Sequence, residues 1–215
     1  MSDHIPPSPV RLALHTSDGV ALQAELAVPE DIVRAAVVLS HPHPLHGGSM
    51  NASVVDALFR ALPSHGVACL RYNFRGVQGS QGRHGGGGPE RADVVAAVDE
   101  VTSRYPLAPV LLAGWSFGGD VSLAVADERV AAWFAVAPPL RILPPDELVA
   151  GRSGRPVTLV VPAHDQFCPP ELARSRTEGW RATRIEVIDM ADHFLTAHIP
   201  EVVDAARRAV DRLGG

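Results

Sequence analysis

The pentapeptide Gly114-Trp115-Ser116-Phe117-Gly118 sets a hydroxyl between two glycines, directly after the apolar run 109–113 and directly before a helix-like stretch, 119–125. A serine on a sharp turn from strand to helix is held in strained backbone geometry, and the flanking glycines remove Cβ atoms that would block the turn. The hydroxyl then stands at the end of a sheet. The N–H that follows opens a helix, where partial positive charge faces a developing oxyanion. Ser116 is the candidate nucleophile. The structural alternative is a small-residue turn that lets a helix pack closely on its strand.

A serine is a poor nucleophile without a base, and the base needs an acid to orient it. With the turn in mid-chain, both partners are expected downstream in the order acid, histidine, each just past a strand. Asp165 follows the apolar run 157–161, and His193 follows a run ending at Ile188. They are the candidate acid and base. His198 competes with His193, Asp189 and Asp192 compete with Asp165, and His164 is assigned to the rim of the site. The competing reading of Asp165 is a turn cap ahead of Pro169 and Pro170.

Acyl transfer also needs two N–H donors for the oxyanion. Phe117 supplies one by position. The second is expected in the loop after the run 35–39, where Pro42 and Pro44 have no N–H, so the near donors are His41, His43 and Leu45. His43 is preferred because a proline on each side fixes its backbone. His41, His43 and His46 also form a string that transition metals favour. No carboxylate accompanies them in that loop, so no metal site is assigned. Trp115, Leu45 and Leu140 are the expected substrate-contacting side chains.

The elements that must position these residues alternate. Strand-like runs at 10–15 and 20–28 flank Ser17-Asp18-Gly19, a hairpin signal. Strands are expected at 35–39, 67–72, 109–113, 131–136, 157–161 and 184–188, the first two buried, and helices at 53–62, 91–104, 117–126, 171–179 and 200–213. Strand–helix alternation implies an α/β fold with a doubly wound, mainly parallel sheet and the opening hairpin as its antiparallel edge. Ligands then bind outside the carboxyl ends of the strands. One domain, 1–215, is expected. The glycine run 85–88 lacks the lysine and spacing of a phosphate-binding loop and reads as a mobile surface loop.

The 215 residues carry a net charge of −5 and 46% hydrophobic residues, with no electrostatic case for nucleic acid or an anionic membrane. All nineteen basic residues are arginine. The absence of lysine excludes Schiff-base chemistry and a P-loop lysine. Cys69 and Cys168 do not share metal or disulfide spacing. Residues 1–11 are polar and proline-rich rather than a signal peptide, and no run is long enough to span a membrane, so a cytoplasmic location is expected.

Together these motifs resemble the α/β-hydrolase superfamily over nearly the whole chain, in particular a small serine hydrolase branch with a His-Pro-His-Pro loop. The segment 71–80 is similar to the Arg-Gly-x-x-x-Ser turn of that superfamily, which implies a structural role for Arg75. The resemblance implies Ser116 as nucleophile, Asp165 as acid, His193 as base, and Phe117 and His43 as oxyanion donors, with no cofactor. The interval 137–156 is too short for the multi-helix lid of many relatives, so the pocket is expected to be open, with Leu140, Ile142 and Leu143 at its edge. The implied activity is cleavage of a small-molecule ester or thioester through an acyl-enzyme. Non-hydrolytic chemistry on the same fold, such as lyase, cyclase or acyltransferase work, is the alternative, followed by a non-catalytic binding module. Homo-oligomerisation and substrate identity are left open.

Overall fold

In a computed structural model, which describes residues 9–213, eight strands form one sheet. The strands are β1 (Val10–His15), β2 (Ala21–Ala27), β3 (Ala35–Ser40), β4 (Val67–Tyr72), β5 (Val110–Trp115), β6 (Val130–Val136), β7 (Val157–Pro162) and β8 (Thr183–Ile188). Their order is β1-β2-β4-β3-β5-β6-β7-β8. The hairpin β1–β2 pairs antiparallel with itself and with β4, and every other pair is parallel. The reading of residues 1–11 as a leaderless polar segment lies mostly outside the described residues.

The central parallel strands β3, β5 and β6 are almost wholly apolar and buried because both of their faces are covered, whereas the edge strand β8 carries Arg184 and Glu186. Ala36 and Val38 of β3 join one core with Leu112, Phe117 and Trp133, while Val37 and Leu39 join a second with Leu111 and Phe134. Helices α2 (Glu90–Arg104) and α3 (Phe117–Leu123) cover the first face, and α1 (Ser53–Ala61) and α5 (Ile199–Asp211) the second. The short helix α4 (Pro170–Arg176) follows β7. The interval 137–156 carries two short 3₁₀ turns, Pro145–Glu147 and Val149–Arg152, and no lid helix.

Strand β3 lies between β4 and β5, so the chain leaves β3 to one side of the sheet and later returns to its other side. A crevice opens at the carboxyl ends of strands where the winding reverses in this way. The loop after β3 and the turn after β5 meet there. The β5 strand reaches Trp115, two residues past the expected end at 113, because it keeps pairing with β6 as far as Val136.

The glycine-rich loop after β4 is tethered rather than free. Glu90, fully buried at the start of α2, accepts hydrogen bonds from the N–H groups of Gly85 (2.6 Å) and Gly87 (2.7 Å). Arg75 joins three segments: its guanidinium donates to Asp93 of α2 at 2.7 and 2.9 Å and to Asp18 of the β1–β2 turn at 2.7 and 3.1 Å. Burial pushes the Asp93 carboxyl up, and the Arg75 hydrogen bonds oppose that shift.

Removing one member of a buried pair leaves an uncompensated charge, which costs about 3–5 kcal/mol. Asp93→Ala should therefore lower the urea midpoint strongly, while Asp18→Ala, whose side chain is 50% exposed, should lower it far less. Equal small losses from both would contradict the role of Arg75 as a brace.

Candidate active site

Ser116 sits between β5 and α3 with φ 54° and ψ −119°, outside the conformations a serine ordinarily adopts. The two glycines of the pentapeptide make this turn feasible. A Cβ on Gly114 would lie 2.3 Å from the Gly118 carbonyl oxygen, and one on Gly118 would lie 2.5 Å from the carbonyl oxygens of Ser40 and His41. The strained residue is anchored by its own N–H, which donates to Val136 at 2.8 Å. Phe117, the first residue of α3, has no carbonyl one turn back within its helix to accept from its N–H.

The structure brings Asp165 and His193 to this serine. His193 Nε2 lies 2.9 Å from Ser116 Oγ, and His193 Nδ1 lies 2.8 Å from Asp165 Oδ2. The other oxygen of Asp165 accepts from the N–H groups of Phe167 (2.7 Å) and Cys168 (3.2 Å), which fixes the carboxylate plane. Both Asp165 and His193 are buried. The Phe167 ring meets the His193 imidazole edge-on at 4.6 Å, and Trp115 Nε1 donates to the His193 carbonyl at 3.3 Å.

The competing residues do other work. His198 is paired with Glu201 at 3.2 Å at the start of α5. Asp192 caps its own turn by accepting from the N–H groups of Phe194 and Leu195, which shapes the backbone that carries His193. Asp189 and His164 are exposed.

The loop after β3 is held by His41, whose ring is buried with both nitrogens engaged by backbone. Nδ1 donates to the Pro42 carbonyl at 2.6 Å, and Nε2 accepts from the Phe74 N–H at 3.0 Å. Burial drives its pKa down to about 4, so the imidazole is neutral and its tautomer is set. The string His41, His43, His46 therefore does not converge on one point as metal ligands must. Among the described residues no cluster of three or more His, Cys, Asp or Glu side chains could hold an ion. The His43 ring instead stacks among His46 (4.6 Å), His84 (5.0 Å) and Phe117 (5.0 Å). That contact sets the two residues expected to donate to an oxyanion side by side.

Ser116 and His193 open into a cleft of about 880 Å³ walled by Trp115, Phe117, Ile142, Phe167 and Phe194, with His43 and Arg141 as polar members. Two expected walls are corrected here. Leu45 lies on a 3₁₀ turn that points outward, is 72% exposed and does not line the cleft. Leu140 is turned into the core at φ 52° and lines a second, neighbouring cavity. Ile142 takes the place assigned to Leu140.

A family model described as serine aminopeptidase S33 matches residues 32–153, more than half of the chain. The chain belongs to that family of α/β hydrolases. A solved α/β serine hydrolase homologue from Coxiella burnetii is 30% identical, with a TM-score of 0.83 over 97% of this chain and 99% of that one. A serine hydrolase without a lid from Xanthomonas campestris is 25% identical, with a TM-score of 0.83 over 97% and 96%. Among curated proteins, an uncharacterised protein of Rickettsia prowazekii is 39% identical over 50% of this chain and 46% of its own length. A polyketide transferase of a Penicillium species is 41% identical over 40% of this chain and 32% of its own. The aligned segments thus span less than half the length of those two relatives.

One residue that shapes this hydrolase's site went unassigned in the sequence. Asp120, fully buried in the first turn of α3, accepts from the N–H groups of Leu140 (2.8 Å), Arg141 (2.8 Å) and Ile142 (2.9 Å). It thereby ties the cleft wall at 140–142 to the helix that Ser116 precedes. The signal was present: Asp120 is the sole charged residue between Arg104 and Asp127.

Burial raises the Asp120 carboxyl to about 6 in spite of its three N–H partners. An acid whose folded pKa is raised holds a proton in the native state that the unfolded chain has already lost. Asp120 therefore contributes stability that is present below about pH 4 and is lost as pH rises to about 6. Urea unfolding between pH 4 and 7 should show this fall in the wild type relative to Asp120→Asn, which cannot titrate. Identical pH slopes for the two proteins would contradict the assignment.

Proposed function

We propose that this hydrolase cleaves an ester or thioester of a small acyl substrate through a covalent acyl-enzyme on Ser116. The observation that carries the reading is the unbroken relay from Asp165 through His193 to Ser116, with links of 2.8 and 2.9 Å. Asp165 holds the imidazole with Nδ1–H toward itself, which leaves Nε2 free to accept the serine proton. Ser116 Oγ attacks the acyl carbon as that proton moves to His193. The carbonyl electron pair shifts to oxygen, facing the N–H groups of Phe117 and His43.

Collapse of this intermediate breaks the bond to the leaving oxygen or sulfur, which takes the proton from His193. Water then repeats the sequence on the acyl-enzyme and releases the carboxylic acid. The apolar walls contributed by Trp115, Phe117 and Ile142 suit an acyl chain, and the short interval 137–156 leaves the cleft open to it. The reading takes residues 1–215 as one domain that works in the cytoplasm without metal or cofactor. No helix among the described residues is long and apolar enough to cross a membrane.

A second reading keeps the acyl-enzyme and changes the acceptor. The 41% identity over 93 residues to a polyketide transferase favours passing the acyl group to an alcohol or amine instead of water. Product mass separates the two: free acid as the sole acyl product supports hydrolysis, and an acyl-acceptor product formed in its place supports transfer.

Members of such a relay act as a unit, so their losses do not add. Ser116→Ala should lower kcat on 4-nitrophenyl butyrate by about 10⁴-fold or more, and Ser116→Ala/His193→Ala should fall little further. A loss under about 100-fold, or losses that multiply in the double variant, would contradict the assigned roles.

A further inference from the structure

The cleft contains one permanent charge, and it stands on the side from which the leaving group departs. His193 Nε2 delivers the proton to the departing atom, so the leaving group lies on the histidine's side of Ser116. Phe167 packs against His193 with ring centroids 4.6 Å apart, and the Arg141 guanidinium sits 5.6 Å from the Phe167 ring. The Arg141 backbone N–H is pinned by Asp120 at 2.8 Å, so the residue is held in place from beneath.

Arg141 forms no ion pair with a carboxylate among the described residues, whereas Arg71, Arg75 and Arg129 each do. Arg141 is also common to two cavities. It lines the 880 Å³ cleft and the neighbouring one of about 570 Å³, whose wall combines Leu143, Pro144 and Leu148 with Arg176. Arg176 holds the Pro139 carbonyl at 2.5 Å and likewise has no carboxylate ion pair, although its charge acts on the buried Asp120. Neither cavity has an aspartate or glutamate in its lining. Their electrostatics therefore favour an anion, and a planar guanidinium matches carboxylate or phosphate oxygens in a bidentate fork.

We infer that Arg141 selects substrates whose leaving group, an alcohol or thiol, carries a carboxylate or phosphate, with Arg176 placed to meet a longer one in the second cavity. The inference rests on the acyl-enzyme reading above and names its substrate class. In the acylation step the C–O or C–S bond breaks, its electron pair stays on the leaving atom, and the His193 proton neutralises that atom. The remote anion takes no part in the bond changes and contributes binding and orientation alone.

The test uses two thioester pairs that share one acyl group. S-butyryl 4′-phosphopantetheine is compared with S-butyryl pantetheine, and S-butyryl 3-mercaptopropanoate with its methyl ester. The wild type should favour the anionic member of one pair by about tenfold or more in kcat/KM, and which pair responds tells phosphate from carboxylate. Arg141→Gln should reduce that ratio about tenfold, while Arg141→Lys, which keeps the charge, should retain most of it. Ratios near one in the wild type, or a ratio unmoved by Arg141→Gln, would overturn the inference while hydrolysis of the neutral esters upheld the reading beneath it.

If none of the four thioesters is cleaved, the acyl-enzyme reading is at fault and calorimetry decides the Arg141 claim alone. About tenfold tighter binding of the anionic member of either S-methyl pair, 4′-phosphopantetheine over pantetheine or 3-mercaptopropanoate over its methyl ester, lost in Arg141→Gln, supports it. Equal affinities within both pairs overturn it.

Discussion

Where β5 turns into α3, the backbone at Gly118 lies so close to the carbonyls of Ser40 and His41 that a Cβ would come within 2.5 Å of both. That approach carries the first turn of α3 to the carboxyl end of β3 and leaves Ser116 no ordinary backbone conformation. A non-glycine residue in such a region costs on the order of 1–3 kcal/mol and persists only where its surroundings over-determine it. Here they do: β5 is paired on both sides, α3 is buried throughout, and the Ser116 N–H is bonded to β6. The same approach sets the loop after β3 beside Phe117. One close contact thus positions the hydroxyl and both expected oxyanion donors.

Around this turn, buried charge is the organising device. Asp120 gathers three N–H groups of the 140–142 wall, Glu90 gathers two from the glycine-rich loop, and Arg75 ties that loop to α2 and to the β1–β2 turn. A buried carboxylate is costly unless its oxygens are satisfied, so each of these sites has a demanding geometry. His41 works in the same way as a neutral group, bridging the loop after β3 and the backbone just past β4 at Phe74. Loops bordering the cleft are thereby held with no more than short 3₁₀ turns of their own.

Most of the architecture was legible because its signals are local or periodic. Two-sided burial writes β3, β5 and β6 as almost wholly apolar runs, and the Asp18-Gly19 turn marks the antiparallel edge. Ser116, Asp165 and His193 could be named because each follows a parallel strand, β5, β7 and β8 in turn, where the sheet presents its carboxyl ends. What escaped were side chains whose placement depends on distant backbone. Leu140 reads as an apolar wall, yet its φ of 52° and the Asp120 anchor turn it inward. Leu45 lies in the right loop but on the outer side of its 3₁₀ turn. Phe167 and Arg141 join the cleft only because the segments after β6 and β7 converge, a relation that spacing does not encode.

Whether Ser116 is an activated nucleophile is tested most directly by intact-mass analysis after exposure to a fluorophosphonate. Wild type should gain one adduct, mapped to Ser116, while folded Ser116→Ala gains none. A wild type that stays unmodified, or an adduct that survives in Ser116→Ala, would contradict it.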